Sequence, residues 1–459
     1  MAGEPKLFDT ILIANRGEVA LRILRSAREL GIATVAVYST ADADSLTVQL
    51  ADKAICIGPA PSTQSYLAQR SIIAAAKGAG AQAIHPGYGF LAENAEFSDL
   101  CAREGIKFIG PSGAAIATMG NKSAARLAAV AAGLPVVPGS EGALRTAEDA
   151  AHFAEAAGYP VLIKASAGGG GKGMRRVDSP ADLASQFAAA KAEAAAAFGD
   201  DTVYLEKLLE HAKHIEFQII CDAYGNGVSL FERDCSTQRR HQKLIEEAPS
   251  SVLTPAERAE MGAAALRLAA AVDYEGAGTV EFLYAGPGQY YFMEMNTRVQ
   301  VEHPVTEAIC GLDIVAEQIR VAAGFPLSLT QEQLGQPRGH AFEFRINAED
   351  PRADFRPSPG RITRYVVPGG YGVRVDTALT QGAVIPPYYD SMVAKLIAFG
   401  ATRAEALARG RRALDEFIIE GVETTILFHK KMLEQPAFID GTVATDYVET
   451  QAEDWSYDA

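Results

Sequence analysis

Between Thr10 and Pro111, short apolar strands alternate with segments whose apolar residues recur at helical spacing, and this alternation restricts the chain to a parallel α/β build. TILIAN opens the series, and Val19, Ala20, Ile23, Leu24, Ala27 and Leu30 then share one helical face up to Gly31, a C-terminal stop. TVAVYS at 34–39, ADKAICIG at 51–58, AQAIHPG at 81–87 and IKFIGP at 106–111 supply further strands. Repeated β-α-β units predict a helix-covered sheet with ligands near the carboxyl ends of its strands. This part is Rossmann-like in build, but NRGEVA stands where a dinucleotide-binding G-x-G-x-x-G would follow the first strand, so no dinucleotide is indicated.

At roughly 150 residues per domain, the 459 residues allow about three domains. The pattern divides them as 1–120, 121–335 with a separable segment at about 137–207, 336–450, and a tail at 451–459. From Thr279 the pattern turns to hairpins, and QPRG at 336–339 reads as a linker into a last domain of short strands and one helix, Glu405 to Ile419. A composition of 48% hydrophobic and 22% charged residues excludes a disordered or fibrous chain. No apolar run approaches the ~20 residues that span a bilayer. MAGEPKLFDT lacks an export pattern, so a cytoplasmic protein without a membrane partner is expected. The net charge of −15 argues against nucleic-acid or anionic-membrane binding and leaves phosphate ligands to local basic clusters. Cys56, Cys101, Cys221, Cys235 and Cys310 are scattered with no C-x-x-C pair, which speaks against a zinc site or disulfide framework.

The glycine run AGGGGKGM (167–174) lies between the strands YPVLIKA and MRRV. It is not a P-loop, because Lys172 is followed by Gly173 and no Ser or Thr is placed to hold magnesium. A hairpin loop whose bare amides close over phosphates, with Lys172 adding charge, is one reading, and a plain surface loop is the other. Lys122 in MGNK and Lys164 in VLIKA are further cations, and Lys164, flanked by apolar residues, needs an anionic partner if buried.

TVEFLY (279–284) and YYFMEMN (290–296) predict a hairpin. With Tyr284 opposite Tyr291, Glu281 falls opposite Glu294, and Asn296 shares that face. Opposed carboxylates in a half-buried sheet repel, and Mg²⁺ held by carboxylates, an amide oxygen and nucleotide phosphates would reconcile them. In TRVQVEHP, Arg298, Gln300 and Glu302 lie on one face if the run is extended, a set able to hold a small oxyanion and take its proton; a salt-bridged edge strand is the alternative. ERDCSTQRRHQK (232–243) gathers Gln238, Arg239, Arg240, His241 and Lys243 into a basic knot suited to an anion, or to solvent as an ordinary loop.

Taken together, these residues resemble biotin carboxylase, the ATP-grasp subunit of biotin-dependent carboxylases. The resemblance runs in order through IANRGEVALRI, HPGYGFLAEN, MGNK, IKASAGGGGKGM, ERDCSTQRRHQK, EMNTRVQVEHPVTE, RINAEDP and PPYYDSMVAKLI, and covers nearly the whole chain. It implies an α/β ATP-grasp fold with an N-terminal Rossmann-like domain, a mobile glycine-loop lid and a C-terminal mixed α/β domain. Carried over residue by residue, it implies nucleotide contacts at Lys122, Lys164, Gly168, Gly169, Gly170, Gly171, Glu206, Lys207, Leu209, His214, Gln238 and His241. The same resemblance implies that Glu281, Glu294 and Asn296 hold Mg²⁺ or Mn²⁺, with Glu281 and Glu294 also counted in the ATP site. Lys243, Arg298, Gln300, Val301 and Glu302 match a bicarbonate pocket. Arg345 matches the residue facing the biotin ureido oxygen, and Tyr88 matches part of the biotin site.

By the same resemblance, Glu302 would deprotonate bicarbonate while Arg298 and Lys243 hold it in line with the γ-phosphate, giving carboxyphosphate. No A-M-K-M-like biotinylation sequence is present, so biotin is expected on a separate biotin carboxyl carrier protein, with carboxyltransferase subunits using the product. Arg25, Glu29, Tyr371 and Arg374 match dimer contacts and imply a homodimer. Acetyl-CoA carboxylation in fatty acid synthesis is the leading context; the alternatives are a pyruvate or propionyl-CoA carboxylase subunit, or another ATP-grasp ligase. A non-catalytic ATP-binding scaffold is the reading from a different class.

Overall fold

The computed structural model describes residues 5–140, 142–165, 174–452 and 455–457. The first five apolar runs form strands β1 (Thr10–Ile13), β2 (Ala33–Ser39), β3 (Lys53–Gly58), β4 (Ala83–His85) and β5 (Lys107–Phe108). They make one parallel sheet in the order β3-β2-β1-β4-β5. Ile11, Leu12 and Ile13 on the central strand are fully buried, as both faces of a parallel sheet must be covered. The helix Gly17–Glu29 supplies part of that cover through Val19, Ala20, Ile23, Leu24 and Ala27. At the carboxyl end of β1, Asn15 Nδ2 donates to the carbonyls of Pro86 and Tyr88, both at 2.7 Å, joining the IAN and HPGYG motifs. Gly87 between them has φ +64°, and a Cβ there would lie 2.9 Å from Asn15 Nδ2, so glycine alone allows this junction.

Residues 161–207 contain a separate three-stranded antiparallel sheet in the order β7-β6-β8, with β6 at Val161–Ala165, β7 at Met174–Val177 and β8 at Val203–Lys207. Helices Ala147–Ala157 and Pro180–Phe198 cover it, and Val161, Ile163, Phe187, Val203 and Leu205 form a core of its own. Gly168, Gly169, Gly170, Gly171 and Lys172 lie outside the described residues.

The largest sheet has eight antiparallel strands. Its first six, in spatial order, are β13 (Gln289–Asn296), β12 (Gly276–Gly286), β9 (Lys213–Cys221), β10 (Gly227–Arg239), β11 (Gln242–Ala248) and β14 (His340–Asn347). Strands Met392–Gly400 and Val373–Thr377 complete it. One sequence expectation fails at this sheet. Antiparallel pairing begins at Lys213 rather than Thr279; β9 and β10 are buried along both faces, and in β9 the alternation Ile215-Glu216-Phe217-Gln218-Ile219 turns its polar side chains to the buried Arg233 rather than to solvent. Beyond QPRG, β14 joins this same sheet by pairing with β11, where Ile245 faces Phe344.

The expected helix Glu405–Ile419 runs from Arg403 to Glu416, and Ile418–Glu420 is a strand paired with Arg364–Val366. Its β-branched Ile418 and Ile419 prefer that pairing to a last helical turn. Nor is it the last helix, since Ile426–Met432, Pro436–Ile439 and Tyr447–Gln451 follow. Among the described residues, no helix is long and apolar enough to cross a membrane.

Candidate active site

The hairpin that sets the site differs in detail from its expected register. Tyr284 faces Tyr290, not Tyr291, and Phe282 faces Phe292, yet Glu281 does face Glu294, because a bulge at Met293 restores the offset. Asn296 lies two residues beyond Glu294, as expected, and its Nδ2 donates to Glu281 Oε1 at 2.9 Å. Strand β9 runs along the other side of β12 and places Glu216 directly opposite Glu281.

Lys243, at the start of β11, stands over these carboxylates. Its Nζ donates to Glu216 Oε2 at 2.5 Å, Glu302 Oε1 at 2.8 Å and Glu281 Oε1 at 2.9 Å. Burial would lower the Lys243 pKa, but the three carboxylates outweigh it and hold the ammonium charged. Arg345 on β14 closes the other side, with Nη2 donating to Glu302 Oε2 at 2.9 Å and Nε to Glu246 Oε1 at 2.5 Å. Burial alone would raise Glu302; Lys243, Arg345 and Arg233 instead hold it well below the usual carboxylate range. Burial pushes Glu246 up to about 7 despite its contact with Arg345.

Arg298, Gln300 and Glu302 are brought together, but not by an extended run. Residues 297–302 form an irregular turn, and Glu302 has backbone angles of −79° and 9° immediately before helix His303–Cys310. Pro304 at the second position favours that helix start. The turn lets Gln300 Nε2 reach Glu281 Oε1 at 2.8 Å and Arg298 Nη2 reach Asn296 Oδ1 at 3.0 Å. Arg298 Nε also donates to Glu93 Oε2 at 2.9 Å.

Lys164 on β6 is ion-paired with Glu206 on β8, the partner its apolar flanks demanded. Lys122 begins helix Lys122–Ala131; desolvation and the nearby charge of Lys164 pull its pKa down. Two lysines that raise each other's electrostatic cost are suited to a shared polyanion. Lys207 donates to the carbonyls of Gly158 and Tyr159 at 2.9 and 3.0 Å, and Leu209 follows the end of β8 half-buried. His214 Nε2 lies 2.9 Å from Glu281 Oε2, and Gln238 is buried opposite Lys243. His241 is exposed at the β10–β11 turn, where it and Arg240 have positive φ. Arg239 and Arg240 pair with Asp354, so this pair of the basic knot is answered within the chain. Tyr88 is half-buried and donates to Glu18.

Glu281, Glu294 and Asn296 suit a divalent cation by donor type. Glu294 makes no ion pair among the described residues and is raised above its ordinary value first by the charge of Glu281 and then by burial. A cation between the two would relieve that repulsion. The described residues also group His214 and Glu216 with Glu281 closely enough to share an ion.

Sequence reasoning missed Glu216, Arg233, Glu93 and Glu246. Arg233 is fully buried and donates to Glu216, Gln218, Thr306, Thr279 and Gln300, which makes it the frame under the site. Glu216 in KHIEFQII alternates with Ile215, Phe217 and Ile219, a strand pattern that made it open to detection.

The separate three-stranded sheet, the facing carboxylates of Glu281 and Glu294 and the lysine–arginine cage around Glu302 define an ATP-grasp enzyme. Family models match residues 7–116 (biotin carboxylase, N-terminal domain), 121–330 (carbamoyl-phosphate synthase L chain, ATP binding domain) and 343–450 (biotin carboxylase C-terminal domain). The chain belongs to the biotin carboxylase family. It is 57% identical over 442 residues to the biotin carboxylase of Nostoc sp., covering 96% of this chain and 99% of that one. It is 54% identical over 444 residues to a pyruvate carboxylase subunit from Methanothermobacter thermautotrophicus, covering 96% and 90%. The biotin carboxylase domain dimer of Hydrogenobacter thermophilus 2-oxoglutarate carboxylase, solved with MgADP, ADP and bicarbonate, aligns with a TM-score of 0.92 at 47% identity, covering 98% and 100%.

Proposed function

We propose that the chain carboxylates biotin at the expense of ATP and bicarbonate, through carboxyphosphate. The observation that carries this reading is Glu302, a buried carboxylate gripped by Lys243 at 2.8 Å and Arg345 at 2.9 Å beside the Glu281–Glu294 pair. Bicarbonate entering the cage competes for Lys243 and Arg298. As it draws the Lys243 charge away, the Glu302 carboxylate becomes basic enough to take its proton. Lys243 and Arg298 then hold the oxyanion for attack on the γ-phosphorus, which breaks its bond to the β,γ-bridging oxygen and releases ADP, while Lys122 and Lys164 take phosphate charge. Glu281, Glu294 and Asn296 would hold Mg²⁺ or Mn²⁺, which when bound offsets charge on the nucleotide phosphates. Carboxyphosphate releases CO₂ and phosphate, phosphate takes the N1′ proton of biotin, Arg345 stabilises the negative charge that develops on the ureido oxygen, and N1′ attacks the CO₂ carbon to give carboxybiotin.

The segment at about 137–207, with its glycine loop, acts as the lid that excludes water from the intermediate. It belongs to an ATP-binding unit at 121–335, flanked by units at 1–120 and 336–450. Gly168, Gly169, Gly170, Gly171, Glu206, Lys207, Leu209, His214, Gln238 and His241 contact the nucleotide, Gln300 and the Val301 backbone complete the bicarbonate pocket, and Tyr88 lines the biotin site. Biotin arrives on a carrier protein in the cytoplasm, and carboxyltransferase subunits choose the acceptor. Relatives named for pyruvate and 2-oxoglutarate share 54% and 47% identity with this chain, which supports an acceptor selected outside it. A homodimer through Arg25, Glu29, Tyr371 and Arg374 fits the 82% exposure of Tyr371 and the dimer solved for the Hydrogenobacter relative.

The test is ADP release by the purified chain with Mg-ATP, with and without bicarbonate and free biotin. Stimulation by biotin that also requires bicarbonate is expected. If bound ATP gives no such stimulation even with a biotinylated carrier protein added, the reading fails.

A further inference from the structure

The turn that carries Val301 and Glu302 is anchored from behind by two buried side chains. His303 Nδ1 lies 2.8 Å from the Gln300 carbonyl; a carbonyl can only accept, so that nitrogen carries the proton. Lys395 Nζ donates to the Val301 carbonyl at 2.8 Å. Lys395 has 0% exposure, although it comes from strand Met392–Gly400, where it stands directly opposite Arg345 on β14. Its ammonium also lies 3.2 Å from Glu18 Oε2 on helix Gly17–Glu29, and the other oxygen of Glu18 accepts from Tyr88. One side chain therefore joins the strand next to Arg345, the N-terminal helix and the turn of the bicarbonate pocket.

A full charge buried in this way is costly unless its bonds are specific. Here both peptide groups flanking Val301 have their carbonyl ends taken, by His303 and by Lys395. Neither the Val301 nor the Glu302 amide has an acceptor among the described residues. A hydrogen bond to the carbonyl of a peptide strengthens its N–H as a donor, so these amides are polarised toward an incoming oxyanion.

We propose that Lys395 is a positioning residue for the carboxylation: it fixes and polarises the Val301–Glu302 peptide for bicarbonate and, through Glu18, ties that turn to Tyr88. This rests on the biotin carboxylase reading above. It does not touch substrate; it acts through the Val301 backbone.

The test compares Lys395→Met with the parent chain in bicarbonate-dependent ADP release, with separate titrations of bicarbonate and ATP. Because Lys395→Met strands the Glu18 carboxylate, the double variant Lys395→Met/Glu18→Gln, which removes both charges, is measured as well. The expected result in a folded variant is a KM for bicarbonate raised roughly tenfold or more, with the KM for ATP within about twofold of the parent. A loosened core would instead move both constants together. Equal rises, or an unchanged bicarbonate KM in the folded single or double variant, overturn the assignment. Absence of bicarbonate-dependent turnover in the parent chain overturns the carboxylase reading itself, and the two failures are thereby told apart.

Discussion

Arg345 donates to the Glu302 carboxylate at 2.9 Å, so the candidate base rests on the same guanidinium that would later face the biotin oxygen. In the proposed mechanism the pair would couple two halves of the reaction: Arg345 would turn toward biotin most readily once Glu302 had taken a proton and lost its charge. Glu302→Gln should therefore bind ATP normally and lose biotin carboxylation by about 10²-fold or more, the share ordinarily carried by a general base. Near-parental turnover would remove Glu302 from the chemistry.

Arg345→Ala should lose carboxylation as well, but for two separable reasons. It removes the donor to the ureido oxygen, and it leaves Glu246, with a fully buried side chain, without its cation. Breaking a buried pair in this way costs about 3–5 kcal/mol. Arg345→Met/Glu246→Gln should recover much of the stability lost in Arg345→Ala and none of the activity. Thermal unfolding and ADP release measured side by side check this, and recovery of activity in the double variant would contradict the assigned role.

For the metal site, Glu294→Gln is the clean probe. Glu281 also bonds Lys243, Asn296 and Gln300, so replacing it disturbs the whole cage, whereas Glu294 makes no ion pair among the described residues. Glu294→Gln should raise the magnesium concentration for half-maximal ADP release by roughly tenfold or more, comparable to losses seen when groups supporting a metal are removed. An unchanged magnesium titration would show that the ion is held elsewhere, with His214, Glu216 and Glu281 as the next candidates.

How much of this was visible in the sequence varied with the range of the interaction. The parallel N-terminal sheet was legible because its signals are local: apolar runs, helical spacing and the Gly31 stop. The facing of Glu281 and Glu294 was also reached, although the tyrosine pairing used to reach it was off by one and the Met293 bulge compensated. TRVQVEHP misled because its alternation resembles a strand; Gln300 and Val301 instead turn, with their carbonyls captured by His303 and Lys395. Lys395 is 94 residues from Val301, and Arg233 meets Thr306 from 73 residues away, so local pattern could not announce either contact.

Arg233 supports a prediction about that frame. Its side chain has 0% exposure and five hydrogen-bond partners, including Glu216 Oε1 at 2.5 Å. Arg233→Met should destabilise the chain by about 3–5 kcal/mol, because Glu216 would be left buried with less compensation. A double-mutant cycle with Glu216→Gln should show coupling of about 1–3 kcal/mol, read from denaturant unfolding. Additive effects would mean that the pair is not the frame described above.

Acid stability gives a last test, because two fully buried histidines are held neutral. His429 is fully buried, its Nε2 lies 2.7 Å from the Arg345 carbonyl, and burial pushes its pKa from 6.5 down to about 4. His85 is likewise pushed down by burial, to about 3. Well above pH 6.5 neither group is protonated in the folded or unfolded chain, so neither contributes to the pH dependence there. As the pH falls from 6.5 toward 4, the unfolded chain takes up protons that the folded chain refuses, and stability is lost at up to about 1.4 kcal/mol per pH unit for each group. His429→Gln keeps a donor for the Arg345 carbonyl but does not titrate, so its unfolding free energy should fall less steeply over this window, by one proton's worth of slope. The same slope in parent and variant would mean that His429 is protonated in the folded chain, and that the buried hydrogen bond to the backbone of Arg345 does not exclude a charge there.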